Sequence, residues 1–173
     1  MSCRVGYGTT TTDTHERGSE MNKLEIAERA EKVLNEEMEY GYESKQAVLF
    51  AVVSSPNGVI TLSQISQNGD VYELLSDKAS VKALAEYDQV LVATCGWASP
   101  VEKDGDDEIA PSAHPKRRRV RLACFLNDEG VASVLRFSDT PDETVTDEGN
   151  AKGSLADALE KLRKKARRTK KQK

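Results

Sequence analysis

A cysteine becomes a nucleophile when a nearby base or cation stabilises its thiolate. In this chain His114 is the only histidine outside the first twenty residues, so it is the one base of that type that could serve Cys95. Cys95 lies in Thr94-Cys-Gly-Trp97 at the end of an apolar run, where a thiol normally acts as a small buried hydrophobe. Cys3 and Cys124, with His15 and His114, form no close ligand pair of the kind zinc sites use. The carboxylate cluster Asp104-Gly-Asp-Asp-Glu108 lacks the twelve-residue alternation that arranges oxygens around calcium. Gly6-Tyr-Gly8 lacks the Lys-Ser/Thr ending of a phosphate loop. These patterns imply no metal and no cofactor, and they leave a thiol enzyme using Cys95 as a distant alternative.

Charge carries a louder signal. Lys161 to Lys173 hold nine cations and no anion, while the whole chain has a formal charge of -4. The other 160 residues therefore set 16 Lys and Arg against 29 Asp and Glu, an acidic body with a basic end. Such an end is drawn to polyanions, and salt should weaken the attraction. Arg163, Lys164, Lys165, Arg167, Arg168, Lys170, Lys171 and Lys173 are thus candidates for binding a polyanion or another partner. No aromatic is interleaved with them, so base stacking has no platform there.

A second cationic group is Lys116-Arg-Arg-Arg119 with Arg121. If Leu126 pairs with Val131 across the turn Asn127-Asp-Glu-Gly130, Arg121 faces Arg136 and Ala123 faces Val134. Like charges directly opposite are unfavourable unless an anion lies between them. The expected source of that anion is the acidic segment 102–108 or 139–148, in preference to an external partner. Arg119, Arg121 and Arg136 complete the candidate set.

Positioning these groups requires a scaffold, and 173 residues suffice for one domain with a sizeable core. Residues 1–21, with Thr9 to Thr12 and no apolar periodicity, are expected to be a disordered extension before a second candidate start at Met21. Leu24, Ile26, Ala27, Ala30, Val33, Leu34 and Met38 predict an amphipathic helix ending near Glu39, with Gly41 as its breaker. Ala47 to Val53 predicts a buried strand, and Ser54 to Gly58 a turn. Strands over 59–66 and 71–75 follow, joined at Asn68-Gly69.

A short helix capped by Ser76 or Asp77 and a strand over 89–95 come next. Residues 100–115 form a long polar loop, and 119–126 with 131–137 a hairpin. An acidic loop spans 139–153. A capping box at Ser154-Leu-Ala-Asp157 begins a last helix that docks by Leu155, Leu159 and Leu162 and runs out into the basic tail. Val48, Phe50, Val52, Leu91, Ala93, Leu122 and Val134 are the expected sheet core.

The fold class is therefore α+β: a single, mostly antiparallel sheet of about five to six strands, packed by N-terminal, middle and C-terminal helices. The domain spans 22–163 and a basic tail 164–173. Its order of elements resembles the roadblock and profilin-like group of small interaction and sensor domains, a likeness of topology alone. No apolar run approaches the ~20 residues of a membrane-spanning helix. The N-terminus lacks the basic-then-apolar order of a secretory signal, and the three cysteines are sparse. The expectation is a small cytoplasmic, non-enzymatic interaction or regulatory module with a protein partner, and the alternative is a nucleic-acid-associated accessory protein using the tail.

Overall fold

Ala47–Val53 and Val90–Ala93 contain no polar side chain. Runs of this kind fit a central strand covered on both faces, where backbone partners lie on either side. The computed structural model describes residues 2–4, 21–38, 40–100, 110–148 and 154–171. In chain order its elements are β1 (Ser2–Arg4), α1 (Lys23–Glu36), β2 (Ala47–Ser54), β3 (Ile60–Asn68), α2 (Val71–Ser76), α3 (Lys78–Glu86), β4 (Val90–Ala98), β5 (Arg118–Asn127), β6 (Gly130–Phe137), β7 (Thr140–Asp147) and α4 (Ser154–Lys171).

One sheet forms, in the order β1-β3-β2-β4-β5-β6-β7, and every neighbouring pair is antiparallel. This is the α+β architecture expected from the sequence. Three residues of the N-terminal extension form β1 at the edge of the sheet. Of the rest of the segment expected to be disordered, Met21 packs against the α1-side core, and residues 1 and 5–20 lie outside the described residues, as do the carboxylate cluster 104–108 and Lys173.

Strand alternation divides the core in two. On one face α1 covers Val48, Phe50, Val52, Leu91, Ala93, Phe125 and Val134. On the other, α2, α3 and α4 cover Leu49, Val90, Val92, Cys124, Leu126 and Val131. Six of the seven expected core residues are buried on the α1 face. Leu122 is half-buried on the opposite face, because Ala123 takes the inward position at that point of β5.

The β5–β6 register has the expected form, with Arg121 opposite Arg136 and Ala123 opposite Val134. Its turn closes Asn127 against Gly130, whose φ of 115° suits a residue without a Cβ.

Two elements differ from expectation. Val71–Ser76 is a helix, α2, where a strand was expected. Asp70 accepts hydrogen bonds from the Tyr72 and Glu73 amides, and this local cap turns the chain as β3 ends. Thr140–Asp147 is a strand, β7, within the expected acidic loop. Thr144, Val145 and Thr146 supply β-branched residues, while Pro141, Asp142 and Glu143 suit a solvent-facing edge. The last helix also continues through the expected tail as far as Lys171.

Candidate functional site

The cations of β5 and β6 are engaged within the fold. Arg121 is 2 % exposed, and its Nη2 donates to Oε1 of Glu31 at 2.5 Å and to Oδ1 of Asn35 at 2.8 Å. Arg136, directly opposite, donates through Nε and Nη2 to the same carboxylate at 2.8 and 2.7 Å. The anion between the two arginines is thus Glu31, 1 % exposed, from α1. Among the described residues it comes from α1 and not from segment 139–148, which corrects that expectation, while segment 102–108 lies outside the described residues.

Glu31 was legible as an anomaly. It sits four residues after Ala27 and three before Leu34, on the apolar stripe of α1, where a carboxylate needs a partner. Burial pushes its pKa up, but the hydrogen bonds and charges of Arg136 and Arg121 outweigh that and hold it below the ordinary range. Glu31 and Arg136 border an open cleft of about 470 Å³ between α1 and β6–β7, lined also by Glu28, Tyr42 and Asp142.

Alternation along β5 separates the arginine run. Arg119 donates from Nε to the Tyr42 carbonyl at 2.9 Å, and its guanidinium lies 5.1 Å from the Trp97 ring. Arg117 packs on the same ring at 4.8 Å. Arg118 points to the other face, makes a two-pronged contact with Asp139 and covers Phe137. Arg119, Arg121 and Arg136 are therefore structural contacts in this fold, and an external ligand for them would have to displace these partners.

Cys95 lacks the setting of a nucleophile. Its Sγ lies 3.2 Å from the Gly41 carbonyl oxygen, as donor. Burial raises its pKa, and the positive charges of Arg119 and Arg121 offset this only in part. His114 is buried in the turn before β5, where its Nδ1 accepts a hydrogen bond from the Lys116 amide. Among the described residues, no three His, Cys, Asp or Glu side chains are grouped as metal ligands.

α4 is divided by its own period. Leu155, Leu159 and Ala166 are buried, with Leu162 packed beside them. Arg163 is 5 % exposed on the same side and donates to the carbonyls of Leu126, Tyr87 and Asp88 at 3.3, 3.2 and 2.7 Å. Burial lowers its pKa, aided by Arg167 and opposed by Asp128 and Asp88. Arg167 donates to Asp128 at 2.7 Å. These two arginines anchor the helix, which departs from their expected role as tail contacts.

The opposite side of α4 carries Lys161, Lys164, Lys165, Arg168 and Lys171, all exposed. They recur at i, i+3, i+4, i+7 and i+10 and so share one face. Lys164 approaches Glu160 at 3.8 Å. No carboxylate among the described residues is in ion-pair contact with the other four. Lys170 is exposed but projects toward the docked side of the helix. Lys161 joins the expected cations of this face through its helical spacing to Lys165 and Arg168.

One cross-strand row of the sheet ends at an exposed apolar residue. Thr94, Leu122, Leu135 and Val145 are directly opposed in succession across β4, β5, β6 and β7, on the face away from α1. The first three are half-buried and Val145 is 53 % exposed. No helix among the described residues is long and apolar enough to cross a membrane. No protein-family profile, curated protein or solved structure matches this chain.

Proposed function

We propose that this protein is a cytoplasmic, non-enzymatic binding module that holds a polyanionic macromolecule against the outer face of α4. The observation that carries the reading is the division of that helix. Apolar residues and two anchored arginines fix one side to the body, and five exposed cations line the other. A cationic end that served only for solubility would not need its helix fastened by a buried arginine. The raised thiol pKa of Cys95 argues against covalent catalysis at neutral pH, since the thiolate is the attacking form.

Retention on immobilised heparin tests the proposal. The wild-type chain should bind at low salt and elute as salt rises. A variant carrying Lys161→Glu, Lys165→Glu and Arg168→Glu should flow through while keeping its fold. Failure of the wild type to bind at low salt, or equal retention of the variant, would rule the proposal out.

A protein partner is a second reading, supported by the exposed Val145 at the end of the apolar row Leu122, Leu135 and Val145. Under that reading, complex formation would be sensitive to Val145→Lys and insensitive to charge reversal on α4.

A further inference from the structure

We infer that the polyanion held by α4 is the phosphate backbone of a double-stranded nucleic acid, contacted without regard to sequence. The inference rests on the polyanion reading and narrows it to a ligand class.

Geometry is the first argument. Lys161 to Lys171 span ten residue steps, about 15 Å along the helix axis. A duplex presents one charge per ~1.7 Å of its length, so roughly nine phosphate charges lie alongside that span. The five cations fall on successive turns, so each can meet phosphate oxygens without the helix bending.

Composition separates nucleic acid from an acidic protein. Protein interfaces are built around apolar and aromatic anchors and are depleted in lysine. The cationic face of α4 has no apolar residue between Lys161 and Lys171, and four of its five cations are lysines. Lysine acts on phosphate as a mobile point charge and lacks the two-pronged fork with which arginine reads guanine. Contact of this kind positions a protein on the backbone without reading bases.

The absence of stacking separates duplex from single strand. None of the eighteen residues of α4 is aromatic. Tyr87, an exposed aromatic whose carbonyl holds Arg163, lies on the docked side. The ring of Trp97 lies on the face covered by α1 and already carries Arg117 and Arg119. The excess of carboxylates over the first 160 residues repels a polyanion elsewhere and restricts its footprint to this helix face.

The experiment measures binding of the full chain to a labelled 24-base-pair DNA duplex, an RNA duplex of equal length, single-stranded DNA of equal length, and polyglutamate, each from 50 to 200 mM salt. Five phosphate contacts give a log-affinity slope of about -4.5 on duplex DNA, a loss of roughly 500-fold over that range. The duplexes should bind more tightly than the single strand, and scrambling their sequence should change affinity by less than about twofold. Lys161→Gln with Lys165→Gln and Arg168→Gln should reduce the slope by about three units without altering the thermal midpoint, since exposed substitutions seldom disturb stability. Single-strand binding as tight as duplex binding, marked sequence preference, or polyglutamate binding without duplex binding would overturn the inference and leave the polyanion proposal standing. A chain that binds no polyanion at 50 mM salt would remove both.

Discussion

Replacing Glu31 by Gln keeps the shape of the side chain and removes the single negative charge that Arg121 and Arg136 share. Both guanidiniums would remain, opposed across β5 and β6, with Arg121 still enclosed. Breaking a buried ion pair by removing one partner costs about 3 to 5 kcal/mol, because the remaining charge stays desolvated. For a domain of this size that corresponds to a fall in Tm of roughly 6 to 20 °C. Urea denaturation followed by circular dichroism reads the effect, and an unchanged m-value would place it in stability and not in a different denatured state.

Removing all three charges together is a sharper comparison. Glu31→Leu with Arg121→Met and Arg136→Met should recover most of the loss, since apolar replacement of a buried triad is often neutral or better. The pH dependence follows from the depressed pKa of Glu31. Its contribution is fully present above the unfolded pKa of about 4.3 and is lost as pH falls through the folded value. Wild type should therefore lose more stability than Glu31→Gln on going from pH 6 to pH 3. A Glu31→Gln cost below about 1 kcal/mol, with parallel pH profiles, would refute the view that this carboxylate holds the two arginines in place.

Arg163→Met should cost about 2 to 3 kcal/mol, by leaving carbonyls at the ends of β4 and β5 without a donor, and should expose α4 to early proteolysis; the loss of under ~0.5 kcal/mol usual for a surface residue would reject its anchoring role. Cys95 should react with iodoacetamide at pH 7 more slowly than a free thiol and faster as pH rises, read by peptide mass spectrometry, because burial raises its pKa. Rapid labelling at neutral pH would restore it as a candidate nucleophile.

The β5–β6 hairpin was legible to the residue because its turn sequence fixes the register and every cross-strand pair follows from it. That register also exposed the Arg121–Arg136 conflict, and so the need for an internal anion. The residue that carries this anion was harder to name. Glu31 is distant in sequence, and spacing along α1 shows only that it lies on the buried stripe. Val71–Ser76 contains apolar residues in a run too short to distinguish period two from period 3.6, and the cap at Asp70 decided between them. β7 escaped because an edge strand need not alternate, and its threonines stood among carboxylates that suggest a loop. The end of α4 reads as a tail in the sequence because its apolar stripe stops at Ala166. The buried Arg163 and the bond from Arg167 to Asp128, which fasten it, depend on partners far away in the chain.

The separation of Glu31 from its two arginines also bears on the order in which the chain is made. Arg136 lies 105 residues after Glu31, an interval of roughly 5 to 20 s at ordinary synthesis rates. During that interval α1 has a charge in the middle of its apolar stripe and a reduced tendency to stick to itself or to other nascent chains. Only when β6 emerges does the same carboxylate change from a solubilising group to an internal counterion, so completion of the hairpin and closure of the α1 face become one event.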